Sequence, residues 1–495
     1  MAYEAKYMER AIKLAKLGIG RVDPNPLVGA VIVKDGRIIG EGYHTGYGML
    51  HAEREAINSL LESAHGAEMY VTMEPCAHTG KQPPCTSAII DAGIRTVYVG
   101  SADPNPKVDG KGIWMLRQHG IEVVTGCMKK ECDALNPVYF HYITTKRPYV
   151  VLKYAVTLDG KIATTTGASR YISGDFARGR VRGMRNQYPA IMVGIGTVLA
   201  DDPTLDNRRQ KDRTPIRIIC DTHLQIPMDS KIVQTAGKIE TYVAASERIP
   251  EEAKQKAEEL EEKNVHVLLI PEKDGHIDVD ALMDRLGEME ISGIMSEGGG
   301  NLSWSLLREG IVNEVVMFIA PKIFGGITAM TPVEGEGVNF VEDALPLHLV
   351  ESEILPGGDI YARYIVGPEP EEEDEHVDVE TAEPRPLAWI SSSPQPEAPK
   401  DFQSGATIET PAEEAPKSAA ESVEEIGSKD TIDTIEAMEM GSSRSKKTGG
   451  EWADAEPLPS GEADDEEDGP PVELESRIVT EVLSADLNPF NIDNK

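Results

Sequence analysis

His51-Ala52-Glu53 opens the stretch that decides the fold of the first half, and Pro75-Cys76-Ala77-His78-Thr79-Gly80-Lys81-Gln82-Pro83-Pro84-Cys85 closes it. One imidazole and two thiols form a borderline-soft donor set that suits Zn²⁺. Three protein ligands leave the fourth tetrahedral position open, which is the catalytic rather than the structural arrangement. Glu53, two residues after His51 in what reads as the first turn of a helix, stays off the metal yet faces the same pocket. There it can carry protons between water and a leaving group. A thiol pair alone would read as packing or as a structural metal site. His-x-Glu, Pro-Cys and a second Cys in that order, with Gly80, Pro83 and Pro84 shaping the loop, read as a catalytic centre.

Working outward, HAEREAINSLLESA is helical in pattern, with Ala52, Ala56, Leu60 and Ala64 along one side. AEMYVTMEPC reads as a strand that delivers Cys76 at its end, and PCTSAIIDAGI starts a second helix with Cys85 in its first turn, where the helix dipole favours a thiolate. Upstream, the turn Asp23-Pro24-Asn25-Pro26 precedes LVGAVIVKDGRIIGEGYH, a strand, an Asp35-Gly36 hairpin turn and a returning strand. RTVYVGSADPNP adds a strand and a turn. Ligands drawn from two helix starts and a strand end are what a three-layer α/β domain would place together. Its expected extent is residues 1–145, with the polar, proline-containing run Thr144-Thr145-Lys146-Arg147-Pro148 at the boundary.

At 495 residues the chain is too long for one ordinary core. The amphipathic start MAYEAKYMERAIKLAKLGIG carries no apolar signal-peptide region, and no apolar run reaches bilayer-spanning length, so no membrane association is expected. The five cysteines (Cys76, Cys85, Cys127, Cys132, Cys220) are too few for a disulfide framework and fit a reducing cytoplasm; Cys127 and Cys132 read as ordinary thiols. Of the net charge of −35, residues 368–495 carry −26. The remainder is mildly acidic and offers no basic face for nucleic acid.

The second domain, expected over 146–366, opens with the strand PYVVLKYAVTLDGKIA, whose loop presents Lys153 and Asp159. YISGDFARGRVRGMRNQY looks helical with clustered arginines. PAIMVGIGTVLADDPTL, RTPIRIICDTHLQIP, KIETYVAA and VHVLLI each supply a strand, and ISGIMSEGGGNLSWSLLREG is strand, glycine turn, helix. The alternation indicates a mostly parallel sheet, finished by strands in NEVVMFIAPKIFGG and IYARYIV. No G-x-G-x-x-G fingerprint follows the first strand. Gly194-Ile195-Gly196-Thr197 and Glu297-Gly298-Gly299-Gly300-Asn301 sit instead at strand ends before helices, where backbone N–H groups can meet a cofactor phosphate.

Taken in order, the zinc stretch and then LKYAVTLDGKIA, GASRYISG, MRNQYPAIMVGIGTVLADDPTLDNR and EGGGNL resemble the bifunctional riboflavin-biosynthesis deaminase/reductase family over residues 1 to 366. Eight residues separate the thiols, not two as in the H-x-E…P-C-x-x-C deaminases. The longer loop carries His78 and Lys81, which suit an anionic substrate. The resemblance implies a cytidine-deaminase-like domain followed by a dihydrofolate-reductase-like domain using NADPH. It implies hydrolytic deamination of 2,5-diamino-6-(5-phosphoribosylamino)pyrimidin-4(3H)-one, then reduction of the ribosyl group to give 5-amino-6-(5-phosphoribitylamino)uracil.

Position by position, the resemblance assigns one zinc to His51, Cys76 and Cys85 and the proton shuttle to Glu53. It assigns pyrimidine binding to Asn25, His44, His78 and Lys81. In the reductase half, Ala155, Tyr171, Thr197, Asp201, Thr222 and the run Gly299, Gly300, Asn301, Leu302, Ser303, Trp304, Ser305 match cofactor positions. Ser169, Arg185, Leu205, Arg208 and Glu297 match substrate positions, with Lys153 as a catalytic or orienting cation. Arg185 and Arg208 are suitable planar donors for the substrate phosphate. Two departures stand out: Tyr171 replaces the family's usual Trp, and Arg182 stands where His is common. Both bear on cofactor affinity. A homo-oligomer is the expected assembly.

From residue 367 to 495, Glu, Asp, Pro, Ser and Ala dominate and aromatics nearly vanish, so this tail is expected to be disordered. Its end, VELESRIVTEVLSADLNPF, has the spacing of a short amphipathic helix suited to a protein partner. Two other readings are a single-activity deaminase with a degenerate reductase domain, and an assembly protein acting through the acidic tail. The intact Lys153, Asp201 and EGGG set weighs against the first, and the intact zinc ligands weigh against the second.

Overall fold

β1 (Gly29–Lys34) and β2 (Arg37–Tyr43) form the hairpin expected at Asp35-Gly36, whose φ angles of 49° and 73° are both in the left-handed region that a tight hairpin turn requires. In the computed structural model, residues 3–80, 82–207 and 214–368 are described. Lys81, Arg208 and nearly all of the acidic tail, with its terminal amphipathic stretch, lie outside the described residues.

The hairpin continues into β3 (Glu68–Met73), β4 (Thr96–Ser101) and β5 (Glu122–Val124), giving a sheet in the order β2-β1-β3-β4-β5. β1 pairs antiparallel with both of its neighbours, whereas β3, β4 and β5 run parallel. Alternate residues serve opposite faces, as strand geometry demands. Ala30, Ile32, Met69 and Val71 enter one core with Ala52 and Ala56 of α2 (Ala52–Asn58), Ile89 of α3 (Cys85–Asp91) and Leu116 of α4 (Lys111–Gln118). Val31, Val33 and Tyr70 enter the other with Tyr7, Met8, Ala11 and Ile12 of α1 (Ala5–Ala15). The i, i+4 spacing of Tyr7, Ala11 and Ala15 is the apolar stripe of α1. Cys127 and Cys132 are buried in this second core as free thiols.

One expected boundary moves. The apolar pattern from Ala52 to Ala64 reads as one helix, but α2 stops at Asn58. Ser59 ends it: its hydroxyl donates to the Ala56 carbonyl and accepts from the Glu41 amide, drawing the chain toward β2. Ala64 is buried all the same. Two helices that the sequence pattern does not mark, α5 (Lys129–Asp133) and α6 (Pro137–Thr145), lead out of this half. α6 closes on Lys146 with φ 61°, and Arg147 then pairs with Asp280 at 2.7 Å and Asp284 at 2.8 Å.

The second half is built on β6 (Tyr149–Thr157), β7 (Ala190–Gly194), β8 (Ile216–Cys220), β9 (Thr241–Ser246), β10 (Val265–Ile270), β13 (Gly293–Ser296), β14 (Val312–Ala320), β15 (Leu347–Ile354) and β16 (Ile360–Val366). Their order is β10-β9-β8-β7-β13-β6-β14-β16-β15, and every neighbouring pair is parallel except β14–β16 and β16–β15, so β16 alone runs against the rest. A small hairpin of β11 (Glu272–Lys273) and β12 (His276–Ile277) stands apart. One face is covered by α7 (Asp175–Arg185), α9 (Lys231–Gln234) and α10 (Glu251–Glu262), through Ala177, Met184, Ile232, Val233 and Leu260. The other is covered by α11 (Val279–Glu288) and α12 (Gly300–Arg308), through Leu282, Leu286, Leu302 and Leu306. Between β7 and β8 lies α8 (Ile195–Asp201). β15 is unexpected from the sequence because its residues are mostly exposed, so the edge strand lacks a buried apolar face. No helix among the described residues is long and apolar enough to cross a membrane.

Candidate functional site

His51 is the residue before α2, Cys85 is the first residue of α3, and Cys76 follows the end of β3. His51 Nδ1 stands 3.6 Å from Cys76 Sγ and 3.4 Å from Cys85 Sγ, and the three ligand atoms all lie within 4.8 Å of one another. A tetrahedral zinc with Zn–S about 2.3 Å and Zn–N about 2.05 Å would set nitrogen and sulfur about 3.55 Å apart. The donor set and its spacing therefore fit Zn²⁺. The Cys85 amide donates to Cys76 Sγ at 3.4 Å, which favours the thiolate. A hydrogen bond from the Cys85 thiol, opposed by burial and aided by His51, draws the Cys76 thiol down.

Glu53 is buried beside this trio and lines the same cavity. Burial first, and the Cys76 thiolate second, push its carboxyl up to about 7, into the range where a group both takes and gives protons. The cavity has a volume of about 240 Å³ and is also lined by Asn25, His44 and His78. His44 Nδ1 lies 2.9 Å from the Leu50 carbonyl, and Asn25 Nδ2 lies 3.1 Å from His44 Nε2. If Nδ1 carries the proton, Nε2 is free to accept from Asn25. His78 Nδ1 is buried with no hydrogen-bond partner among the described residues.

Several lining residues escape the sequence reading. Asp103 and Asn105 belong to the DPNP run that reads as a plain turn, and Tyr139 comes from α6. Tyr139 donates to Asp103 at 3.0 Å, and burial raises the Asp103 carboxyl. Glu74 accepts from the Gly110 and Gly112 amides at 3.1 and 2.9 Å, fixing the start of α4 against the strand end that leads to Cys76. Glycine is required at 112, because a Cβ there would fall 1.9 Å from the Pro75 carbonyl. Arg54 donates to the Pro83 and Pro84 carbonyls at 3.1 and 2.8 Å, holding the loop before Cys85. Arg54 and Glu74 adjoin the ligand stretch in sequence, whereas Asp103, Asn105, Gly112 and Tyr139 come from segments well beyond it, and none of them belongs to the motif that marks the centre.

In the second half, the structure brings Lys153, Arg185 and Glu297 together. Glu297 lies just past β13, between Lys153 Nζ at 3.2 Å and a bidentate Arg185 at 2.6 and 2.9 Å. Arg185 also donates to the Asp206 carbonyl at 2.7 Å. Burial would raise the Glu297 carboxyl, but the two cations outweigh it and hold it down to about 2. Leu205, beside Asp206, is buried with φ 53°. Ser169 donates to Asp201 at 2.9 Å. Thr222 follows β8 and accepts from the Ile277 amide at 3.3 Å. Ala155 lies two residues beyond Lys153 on β6, while the Tyr171 ring is exposed.

The two glycine turns meet: the Gly194 amide donates to the Gly298 carbonyl at 3.1 Å. Gly298 and Gly299 have φ of 108° and 98°, a region that demands glycine. Gly299, before α12, has no side chain with which to cap the helix, and an N-terminus of this kind offers backbone amides to a phosphate, in keeping with a nicotinamide dinucleotide; the Glu334 side chain packs against Gly300 there. Thr197 lies in α8, directly after the first turn. Asn301, Trp304 and Ser305 line a second cavity of about 250 Å³ with the β11–β12 hairpin, whereas Leu302 packs into the core and Ser303 donates back to the Gly299 carbonyl.

A deaminase-type zinc centre in one half and a doubly covered reductase sheet in the other define a fused deaminase and reductase. Residues 1–101 match the cytidine and deoxycytidylate deaminase zinc-binding region, and residues 148–358 match the RibD C-terminal domain. The riboflavin biosynthesis protein RibD of Actinobacillus pleuropneumoniae is 49% identical over 360 residues, covering 73% of this chain and 94% of that protein. The RibD of Escherichia coli is 42% identical over 332 residues, covering 64% and 88%. Among solved structures, Acinetobacter baumannii RibD superposes with a TM-score of 0.66 at 34% identity, covering 74% of this chain and 99% of that one. A diaminohydroxyphosphoribosylaminopyrimidine deaminase/5-amino-6-(5-phosphoribosylamino)uracil reductase from Thermotoga maritima gives 0.65 at 38% identity, covering 73% and 98%.

The chain belongs to the RibD family of bifunctional riboflavin-biosynthesis enzymes. It is a zinc-dependent deaminase with a cytidine-deaminase-like domain and an NADPH-dependent reductase with a dihydrofolate-reductase-like domain.

Proposed function

We propose that the cavity around His51, Cys76 and Cys85 deaminates 2,5-diamino-6-(5-phosphoribosylamino)pyrimidin-4(3H)-one, and that the Lys153–Glu297–Arg185 cluster serves reduction of the product to 5-amino-6-(5-phosphoribitylamino)uracil. The observation that carries the first assignment is the ligand trio, with a buried carboxyl beside it in one cavity. Bound at these ligands, zinc supplies the Lewis acid that makes water a nucleophile near neutral pH. Glu53 takes a proton from the attacking water and delivers it to the departing amine, so water and the amino substrate give the carbonyl product and ammonia. Asn25, His44, His78 and Lys81 hold the pyrimidine.

In the second half, NADPH supplies the hydride. Lys153 serves as the catalytic or orienting cation. Glu297 sets the geometry of Arg185 and Lys153 through the ion pairs that hold them. Arg185 and Arg208 take the substrate phosphate, whose planar bidentate recognition suits guanidinium. Ser169 and Leu205 complete the substrate side; Ala155, Tyr171, Thr197, Asp201, Thr222 and the run from Gly299 to Ser305 complete the cofactor side.

The two domains are assigned to residues 1–145 and 146–366, and the setting to a homo-oligomer in the cytoplasm. The segment from 367 to 495 serves as an acidic tether whose end docks a protein partner. The discriminating experiment is Glu53→Gln. The variant should retain one zinc per chain by metal analysis while ammonia release falls by about 10²–10⁴-fold. Normal ammonia release would remove Glu53 from its role.

A further inference from the structure

Tyr171 is not glycine, yet it stands in the left-handed region at φ 62°, and the residue is 64% exposed. Such a conformation persists only where the surroundings determine it. Here they do. Lys322, just after β14, donates from Nζ to the carbonyls of both Tyr171 and Ile172, each at 2.7 Å. Among the described residues its ammonium makes no ion pair, so its described polar contacts are these two carbonyls.

The rest of the segment from 322 to 330 is laced along the loop from 158 to 172. The Leu158 amide donates to the Lys322 carbonyl at 2.8 Å, and the Ile162 amide donates to that of Met330 at 3.0 Å. Asp159 accepts from the Phe324 and Gly325 amides at 3.1 and 2.7 Å. On the far side of the loop, Ser169 is tied to Asp201 at 2.9 Å. The backbone at Tyr171 is therefore fixed from two directions while its ring remains open to a ligand, with the Arg178 guanidinium 4.8 Å from the ring centre.

We propose that Lys322 is a positioning residue of the reductase: it fixes the backbone at Tyr171 and Ile172 so that the Tyr171 ring is presented, already oriented, to the nicotinamide cofactor. This rests on the assignment of Tyr171 to the cofactor side. Without the ammonium, the two carbonyls lose a charge-assisted donor and the loop samples other conformations. NADPH then binds only the competent fraction, and its apparent affinity falls in proportion.

The test is a double-mutant cycle on the full chain, reading NADPH affinity from cofactor fluorescence and kcat at saturating NADPH. Lys322→Met should weaken NADPH binding about tenfold, with kcat and ammonia release near those of the parent. Lys322→Arg should recover most of the loss. Tyr171→Ala should weaken binding too, and adding Lys322→Met to it should cost little more. If Tyr171→Ala weakens NADPH and Lys322→Met does not, the positioning role is wrong while Tyr171 keeps its cofactor assignment. If Tyr171→Ala has no effect, that assignment fails and the proposal with it. A Lys322→Met loss that adds in full to Tyr171→Ala also overturns the proposal, because Lys322 would then act independently of the ring.

Discussion

Each half of the molecule holds a glutamate largely shielded from water at the centre of its site, and the two are driven in opposite directions. Glu53 is pushed up to about 7, whereas Glu297 is held down to about 2. Burial acts on both in the same sense. What differs is the company: Glu53 faces a thiolate-prone Cys76, and Glu297 lies between an ammonium and a guanidinium. A carboxyl that must move protons is left near neutrality by its surroundings. One that must hold cations is kept ionised. The same side chain therefore does two kinds of work in one chain, and neighbouring charge, not burial, sets which.

The largest expected effects would break this contrast at its two ends. Cys76→Ser or Cys85→Ser should remove zinc and take ammonia release to background, while NADPH oxidation on already deaminated substrate continues; metal analysis and the two assays on one preparation would check it. Lys153→Ala or Arg185→Ala should do the reverse, abolishing NADPH-dependent reduction with ammonia release intact. Loss of both activities in either variant would mean that the halves do not work as separate sites.

A middle-sized effect sharpens the contrast through pH. Glu297 has a folded value of about 2 against an ordinary 4.5, so its contribution to stability is present above about 4.5 and is lost as pH falls toward 2. Glu297→Gln leaves two partly buried cations without their carboxylate and should cost up to about 3–5 kcal/mol at neutral pH. The difference from the parent in denaturant midpoints should shrink between pH 4.5 and 2. A difference that stays flat across that window would mean that the cost of Glu297→Gln does not come from loss of the carboxylate's charge.

How legible the two sites are follows from how each is built. His51, Glu53, Cys76 and Cys85 lie within one stretch, and each is a residue type with few other uses at that spacing, so the zinc centre and its three-layer domain can be read directly. The reductase site gathers Lys153, Arg185 and Glu297 from three distant segments, and only the resemblance of ordered motifs joined them. Residues that act by holding backbone left no signal in either half. Arg54 grips Pro83 and Pro84, and Lys322 grips Tyr171 and Ile172, through carbonyls that every residue possesses. β15 was hidden for a different reason: an exposed edge strand has no apolar alternation to read.

Smaller effects belong to these supporting residues and to the tail. Arg54→Ala should loosen the loop before Cys85 and lower zinc affinity by about tenfold, measured by competition with a chelator. Removing residues 369–495 should leave zinc content and both activities nearly unchanged. A large loss from that truncation would place part of a site in the acidic segment.

The central claim, that one chain carries two chemically separate sites used in sequence, is tested most directly by a single incubation. Purified protein is given 2,5-diamino-6-(5-phosphoribosylamino)pyrimidin-4(3H)-one with and without NADPH, and ammonia and reduced-cofactor absorbance are followed together. One ammonia per substrate is expected in both arms, with NADPH consumed only after ammonia appears and in equal amount. NADPH consumption that precedes ammonia, or ammonia release that requires NADPH, would contradict it.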